Sequence, residues 1–429
     1  MPTPRAFRGS VAIVGTPWGD EGKGKVVDTI AENTQAVVRY HGGGNAGHTL
    51  LVDGRKIVTH ILPVGIVRRG MTNLVGPYVA CDPEMLVQEL AIADEFGSEV
   101  YLDRQAPIVL PLHKMIDQAR EHSLAQGKIG TTGRGIGPCY EDWVSRRGVC
   151  LEDLTDPLRM RQALNAGNYY DERCTVAAYH GGKPQTIDEV IDWGTRLGQT
   201  LAPHLDDTRA HVSGLLQDRR KTIVFEGAQG ILLDVGFGRP FATSSFCTPA
   251  AASASMGVST FDHVIGVAKA YTTRVGNGPF PSEVHENNGW LESLRKRGDE
   301  YGATTGRPRR CGFLDLPLLR FTCRVAGIKQ LVITKLDVLT GHPSIPVCRG
   351  YKLNGASLDP NTTLIPEVLA QVETDTVIME GWTEDLSGCR EHRDLPKTTR
   401  DYLAFIESAL RIPVIGVGVG PEREQFIWF

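Results

Sequence analysis

The sequence predicts an α/β fold with a large, mostly parallel sheet and helices on both of its faces. Short runs of β-branched and other apolar residues alternate with helix-like segments from one end of the chain to the other. This alternation is typical of parallel sheets whose strands are buried on both faces. Because no Pro/Ser-rich linker interrupts it, we expect a single domain over residues 1–429, with a separate lobe between about 100 and 200 as the alternative.

Each predicted element follows from its local pattern. Strands are short continuous apolar runs, and helices are segments whose apolar residues recur every three to four positions. The predicted strands cover residues 11–15, 36–40, 222–225, 264–271, 331–334 and 414–417. The predicted helices cover residues 25–32, 83–96 and 112–126, with two more between 186 and 218. Long loops, several of them rich in glycine, connect these elements.

Composition excludes several classes of protein. The 429 residues are 41% hydrophobic and 22% charged, as in ordinary globular chains, and the net charge of −4 does not favour nucleic acid or anionic membranes. The nine cysteines form no C-x-x-C pair, and no apolar run approaches the roughly 18 residues of a membrane helix. We therefore expect a cytoplasmic protein that acts on small molecules, with neither nucleic acid nor membrane as a partner.

The strongest local signal is a glycine-rich turn between the first strand and the first helix. Gly19, Gly24 and Lys25 match the phosphate-loop spacing G-x-x-x-x-G-K. Glycines let backbone N–H groups close on phosphate oxygens, and a helix N-terminus adds partial positive charge. Val26 stands where Ser or Thr would ligate Mg²⁺, so an oxygen ligand is expected from inside the loop, such as Asp20. The alternative is an ordinary βα turn.

A second signal follows the predicted strand 331–334. Thr334, Lys335, Leu336 and Asp337 form a T-K-L-D sequence close to the [N/T]-K-x-D pattern of guanine-nucleotide proteins. A carboxylate there can accept from guanine N1–H and the exocyclic amine, and the lysine stem can cover the base. Together with the phosphate loop this sequence predicts a GTP site, although a Lys–Asp turn alone is common.

Further polar loops complete the set of candidate sites. Residues 41–49 hold four glycines, with Asn45 and His48 as side chains that can bond a ligand, and a histidine near phosphate can act as a general acid. Residues 129–138 and 302–312 each carry a T-T-G-R sequence suited to anions, and residues 225–230 follow a strand and present Gln229. These features predict GTP-driven ligation of two smaller anions through a phosphorylated intermediate.

The motifs taken together resemble those of the adenylosuccinate synthetase family. They are WGDEGKGK, NAGHT, IGTTGRGIGP, FEGAQG, TRVGNGPFP, ATTGRPRR, TKLDVL and GVGVGP, in the family's order between residues 11 and 421. The resemblance implies one α/β domain, a homodimer, and the first committed step from IMP towards AMP. In that reaction GTP phosphorylates the 6-oxygen of IMP, and the amino group of L-aspartate then displaces the phosphate.

The resemblance also implies residue roles. Asp20 would remove the N1 proton of IMP and ligate one Mg²⁺ per subunit together with the Gly47 carbonyl. His48 would be the acid that neutralises charge on the transferring phosphoryl group. Arg146 would reach across the dimer to the partner's IMP.

The implied binding sites overlap. GTP would contact Gly19, Asp20, Glu21, Gly22, Lys23, Gly24, Lys25, Gly47, His48, Thr49, Arg309, Lys335, Leu336, Asp337, Gly418, Val419 and Gly420. IMP would contact Asp20, Glu21, Gly22, Lys23, Asn45, Ala46, Gly47, His48, Thr132, Arg146, Gln229, Thr243 and Arg307. L-Aspartate would contact Ala303, Thr304, Thr305, Gly306, Arg307, Pro308 and Arg309.

The chain departs from the family pattern near the expected acceptor site. Pro17 and Gly44 replace other residues, residues 76–80 differ, and Phe246 and Cys247 stand in a segment, 243–252, that is usually more polar. IMP is the expected acceptor, and a different purine-like nucleotide is the alternative. A GTP-binding regulator without turnover is a further hypothesis, which the presence of both Asp20 and His48 argues against.

Overall fold

The computed structural model describes residues 7–123, 130–285, 289–301 and 308–429. Its helices are α1 Lys23–Ala31, α2 Pro83–Phe96, α3 Pro111–Ser123, α4 Ile136–Val144, α5 Pro157–Asn165, α6 Tyr169–Tyr179, α7 Ile187–Leu201, α8 Thr208–Leu216, α9 Ala250–Met256, α10 Gly289–Gly298, α11 Leu316–Ala326, α12 Pro366–Leu369 and α13 Lys397–Leu410. In these ranges no helix combines the length and the apolar character needed to span a bilayer.

The strands are β1 Gly9–Gly15, β2 Ala36–Arg39, β3 Gly42–Gly43, β4 His48–Val52, β5 Arg55–Thr59, β6 Thr72–Val75, β7 Val79–Ala80, β8 Glu99–Asp103, β9 Leu205–Asp206, β10 Thr222–Glu226, β11 His263–Lys269, β12 Thr272–Arg274, β13 Arg310–Gly312, β14 Leu314–Asp315, β15 Gln330–Thr334, β16 His342–Leu353, β17 Ala356–Ser357, β18 Glu373–Trp382, β19 Val414–Gly418 and β20 Phe426–Trp428. The six predicted strands correspond to β1, β2, β10, β11, β15 and β19.

Ten of these strands form one sheet in the order β20-β19-β15-β11-β1-β10-β2-β6-β8-β9. Every neighbouring pair is parallel except β19 and β20. The predicted large, mostly parallel sheet is therefore confirmed.

Both faces of the sheet are buried, because alternate residues of one strand pack into different clusters. On β2, Val37 packs in the core that contains Val26 and Ile30 of α1. Its neighbours Ala36 and Val38 pack instead with residues of α9. Burial on both faces explains why these strands are unbroken apolar runs in the sequence, and it confirms the prediction of helices on both faces of the sheet.

Two of the regions outside this sheet bear on the predictions. Among the described residues, the segment from α3 to the start of β9 is helical. It covers most of the region, about 100 to 200, for which a separate lobe is the alternative. A smaller sheet joins β14, β16, β17 and β18, and no prediction covered the long antiparallel pair β16 and β18. The division of the chain into domains stays a prediction.

Candidate active site

The candidate site lies along one edge of the ten-stranded sheet. The strands β1, β2, β10, β11, β15 and β19 are mutually parallel, so their carboxyl ends meet at the same edge. The predicted loops after residues 15, 40, 226, 334 and 418 all leave the sheet there. Ligands of open α/β sheets bind in the crevice at this edge.

The phosphate-loop-like turn runs from the end of β1 to Lys23, where α1 begins. Glu21, one of the predicted ligand residues, is buried inside the loop: its carboxylate accepts from Gly19 N at 2.6 Å and from Lys23 Nζ at 2.7 Å. The Glu21–Lys23 ion pair stiffens the loop from inside, whereas Asp20 lies on its partly exposed outer rim. Glycine is favoured at position 15 because a Cβ there would lie 2.6 Å from the Gln229 carbonyl oxygen and would also meet the Glu21 carboxylate.

Asp20 occupies the rim of this loop in the left-handed backbone region, with φ of 61°. Its Oδ2 lies 3.0 Å from Arg309 Nε, and both side chains are partly exposed. The structure therefore joins the predicted base to an arginine of the predicted aspartate site. Arg309 itself is held from behind by Glu300, whose Oε2 lies 2.9 Å from its guanidinium.

His48 is fixed from behind by a buried carboxylate. Its Nδ1 forms a short hydrogen bond to Glu226 Oε1, which also accepts from Arg39 at 3.1 Å, while Oε2 accepts from Val64 N at 2.9 Å. Arg39 and Glu226 end adjacent strands and are paired by the sheet register. The carboxylate holds the proton on Nδ1, so Nε2 is the atom that can face a ligand.

Burial sets the charge state of this cluster. It lowers the pKa of His48 below the ordinary value, and the Glu226 carboxylate opposes the shift only in part. Burial alone would raise the pKa of Glu226, but His48 and Arg39 hold it below its usual range. We therefore describe the resting pair as an anionic carboxylate and a neutral imidazole that donates from Nδ1.

Three predicted acceptor residues form one hydrogen-bonded chain. Gln229 donates from Nε2 to Asn45 Oδ1 at 3.0 Å, and Asn45 donates from Nδ2 to Thr243 Oγ1 at 3.2 Å. The next residue, Gly230, touches the phosphate-loop turn so closely that a Cβ would lie 2.4 Å from Gly19 N. Gly44, one of the departures from the family pattern, packs against Met85. A Cβ at position 44 would lie 2.7 Å from the Met85 sulfur.

Two other predicted acceptor residues come from the helical segment. Thr132 is exposed in the loop before α4. Arg146 follows α4 with φ of 64° and is exposed, and within the described ranges its side chain has no polar partner. Below it, buried Asp142 accepts from His113 Nε2 at 2.9 Å and from Tyr169 Oη at 2.7 Å, which fixes the helix that carries Arg146.

The predicted guanine end lies where β15 and β19 finish. Lys335 has φ of 60°, and burial raises the pKa of Asp337 above its ordinary value. Lys25, predicted at the phosphates, instead donates to the carbonyls of Gly420, at 2.5 Å, and Gln425, at 3.0 Å. Its amine thus ties α1 to the loop after β19, and burial lowers its pKa to about 8.

The other predicted residues take varied positions. Ala46 is buried beside Asn45, whereas Gly47 and Thr49 are exposed at the start of the hairpin of β4 and β5. At the guanine end, Leu336 and Val419 are buried. Pro308 is exposed next to Arg309. The predictions for Ala303, Thr304, Thr305, Gly306 and Arg307 fall outside the described residues.

Sequence reasoning missed three charged residues that build the site. Arg39 and Glu226 each end an apolar strand, in AVVR and TIVFE. A charge that ends a fully buried strand is a signal that could have identified both, because such a charge needs a partner. Glu300 gave no comparable signal, since its partners come from three separate segments.

The donor set is compatible with Mg²⁺. This ion usually binds through one or two protein oxygens and keeps water and substrate phosphates as its other ligands. Arg309 Nε lies 3.0 Å from Oδ2 of Asp20, and the Asp20 carboxylate and the Gly47 carbonyl are oxygen donors of the required kind. Within the described ranges no group of three or more His, Cys, Asp or Glu side chains forms an all-protein metal site.

Comparison with known proteins identifies the family. The model of the family described as adenylosuccinate synthetase matches residues 12–427. The adenylosuccinate synthetase of Halothermothrix orenii is 41% identical over 425 residues, which cover 98% of each chain. That of Anaeromyxobacter sp. is 43% identical over 434 residues, covering 97% of this chain and 98% of the relative.

The chain belongs to the adenylosuccinate synthetase family.

Solved structures agree with this assignment. The fully ligated adenylosuccinate synthetase of Plasmodium falciparum superimposes with a TM-score of 0.91 at 33% identity, covering 98% of this chain and 99% of the other. A cyanophage S-2L succinoaminodeoxyadenylate synthetase shares only the fold, with a TM-score of 0.62 at 20% identity. The expectation drawn from the synthetase motifs is confirmed at the level of the family.

Proposed function

We infer that this protein is a GTP-dependent ligase that joins L-aspartate to IMP, forming a C–N bond and giving adenylosuccinate, GDP and phosphate in purine biosynthesis. Membership of the synthetase family over nearly the whole chain carries this conclusion. The relatives above 40% identity bear the synthetase name, and they give no support to a different acceptor or to a regulator without turnover.

We propose that Asp20 is the base of the first step. It takes the N1 proton of IMP, and the 6-oxygen then attacks the γ-phosphorus of GTP as the bond to GDP breaks. The support is its position on the rim of the phosphate-loop-like turn, facing Arg309 at 3.0 Å. In the second step the aspartate nitrogen attacks C6, and the C6–O bond breaks with loss of phosphate.

His48 supplies charge neutralisation during phosphoryl transfer in this proposal. The Glu226 carboxylate fixes its ring through Nδ1, which leaves Nε2 for the phosphoryl oxygens. The arriving phosphates are anionic, so they raise the pKa of His48 and favour a second proton on the ring. Before the nucleotide binds, burial lowers the pKa of His48 and so favours the neutral ring.

Asp20 and the Gly47 carbonyl are the residues we propose to hold Mg²⁺. When bound, the ion neutralises charge on the GTP phosphates. Because Arg309 contacts the same carboxylate, it must release Oδ2 or share Asp20 with the ion. Lys335, Asp337 and the loop after β19 would bind guanine, and the chain of Gln229, Asn45 and Thr243 would face IMP.

A homodimer with a shared acceptor site is the proposed assembly. Arg146 stands exposed after α4 and has no polar partner in the described part of the chain. The adjacent Val144, at the end of α4, is 71% exposed, so a second subunit that contacts Arg146 would also cover this apolar side chain.

A direct assay tests the proposed function. The protein is incubated with GTP, Mg²⁺, L-aspartate and IMP, and adenylosuccinate, GDP and phosphate are measured by mass spectrometry and phosphate release. We expect the three products in equal amounts, and less product with ATP than with GTP. A panel of other purine nucleotides runs in parallel. Product from one of them and none from IMP would contradict the assigned acceptor.

A further inference from the structure

Glu300 lies at the junction of the candidate guanine and aspartate sites and is completely buried. It follows α10, and its backbone N–H donates to the Arg295 carbonyl at 3.0 Å. Its own carbonyl accepts from Arg309 N at 2.9 Å. Main-chain bonds therefore fix the position of its side chain from both directions.

The Glu300 carboxylate is shared by donors from three separate segments. Oε1 accepts from Lys269 Nζ at 2.7 Å, from Tyr271 Oη at 2.5 Å and from Lys335 Nζ at 3.2 Å. Oε2 accepts from the Arg309 guanidinium at 2.9 Å. Burial alone would raise the pKa of this carboxyl, but the three cations hold it well below its usual range.

Two of these donors bear on different substrates in the proposed function: Lys335 contacts guanine and Arg309 contacts L-aspartate, although Arg309 is also among the residues predicted to contact GTP. Lys335 is the lysine of the T-K-L-D turn, and 30% of its side chain is exposed at the guanine end. Arg309 is 21% exposed and extends from Glu300 to Asp20. The remaining two donors, Lys269 and Tyr271, are buried and face the carboxylate from β11 and the turn after it.

We propose that Glu300 is a positioning residue that holds Lys335 for guanine and Arg309 for L-aspartate through one buried carboxylate. The inference rests on the proposed ligase function and adds a residue to it. A buried anion with several partners keeps long cationic side chains in one orientation. Glu300 acts together with the Gly298 carbonyl, which accepts from Lys335 Nζ, and with Asp20, which pairs with Arg309. Loss of this anion should therefore weaken two substrates together.

Glu300→Gln tests this inference in the full-length protein. The amide keeps the shape but loses the charge and places an NH₂ group among cations. We expect the KM for GTP and the KM for L-aspartate each to rise about tenfold, the scale of a lost charge-assisted hydrogen bond. The KM for IMP should change by less than about twofold, because no described acceptor residue contacts Glu300.

Two further variants make the test specific. Tyr271→Phe removes one O–H donor from the same carboxylate without changing charge or ring volume, and we expect a smaller joint rise in the same two KM values. Glu283→Gln is the matched control, since Glu283 pairs with the neighbouring Arg310 at 2.8 Å and lies outside the Glu300 cluster. Its KM values should stay at those of the wild type.

The outcomes separate the two claims. If the wild-type chain makes no adenylosuccinate, the proposed ligase function is wrong and this inference falls with it. If the wild type is active but neither Glu300→Gln nor Tyr271→Phe raises the GTP and L-aspartate KM values together, the inference alone is overturned. Should Glu300→Gln fail to fold, the Tyr271→Phe result decides by the same criterion.

Discussion

At the scale of single residues, the site depends on carboxylates in different environments. Glu21 and Glu226 are buried and already paired, so they shape the loop and the imidazole without meeting solvent. Asp20 stands at the partly exposed rim and has only Arg309 as a polar side-chain partner in the described ranges. This difference in environment supports our proposal that Asp20 carries out proton transfer and metal binding while the other two act as positioning residues.

Asp20→Asn should abolish turnover while GTP still binds. The amide keeps the shape of the side chain, but it cannot take the N1 proton of IMP and cannot act as an anionic Mg²⁺ ligand. Product formation by mass spectrometry and GTP binding by calorimetry measure the two properties separately. A variant that kept more than about a tenth of the wild-type rate would show that another group is the base.

Glu226→Gln should lower kcat by about 10²-fold, the lower range for a lost acid–base contribution, because His48 loses the anion that fixes its ring and supports its charged form. Glu89→Gln is the matched control, as Glu89 is also buried and pairs with a histidine, His60, at 3.2 Å. The control should lose stability but keep its kcat. Equal kcat values for Glu226→Gln and wild type would show that the pairing of Glu226 with His48 is structural and does not contribute to catalysis.

At the scale of elements, all six predicted strands are largely buried, and the long strands that were not predicted, β16 and β18, are partly exposed. The short buried strand β6 was not predicted either. β1 and β19 are continuous apolar runs, and every residue in both is buried. β16 contains two prolines, and β18 is half polar and partly exposed. The motif residues at strand ends were predicted correctly as loops, whereas Glu300 could not be found because its cluster exists only after residues 269–271, 309 and 335 come together.

The N-cap of α11 gives a prediction about stability. Asp315 is fully buried, accepts from Leu318 N at 3.2 Å and from Tyr351 Oη at 2.7 Å, and burial raises its pKa to about 6. Because the folded state holds the proton more tightly than the unfolded state, this carboxyl costs stability as pH rises from about 4 to 6. Above pH 6 the cost is constant.

Asp315→Asn removes this titration while keeping a capping oxygen. The free energy of unfolding of the variant, relative to wild type, should therefore increase between pH 4 and 6 by up to about 3 kcal/mol and then remain level. Urea denaturation followed by circular dichroism at several pH values measures it. A difference that does not vary with pH would mean that Asp315 titrates normally in the folded protein.

At the scale of the whole molecule, the proposed IMP site would use residues from both the active-site edge and the helical segment. The edge supplies Asn45, Gln229 and Thr243 in one hydrogen-bonded chain. The helical segment supplies Thr132 and Arg146, both exposed. An arginine that is held in the left-handed region and points to solvent contributes little to its own fold, so a contact with a second subunit is the role that its position supports.

Arg146→Leu should raise the KM for IMP without unfolding the chain, because its side chain is exposed while the helix beneath it is fixed by buried Asp142. In a shared site, mixing Arg146→Leu with Asp20→Asn should restore activity at an IMP concentration well below the raised KM, where neither variant alone is active: one of the two sites in each mixed dimer then receives both wild-type residues. About a quarter of wild-type activity is the expected limit for random mixing, because half of the dimers are mixed and each has one intact site.

Arg147→Leu is the matched control, since Arg147 pairs with Glu172 of the same chain and its loss should leave the IMP KM unchanged. Sedimentation of the wild type should give a dimer. A monomer that is fully active, or mixtures that never regain activity although mixed dimers form, would show that each subunit completes its own acceptor site.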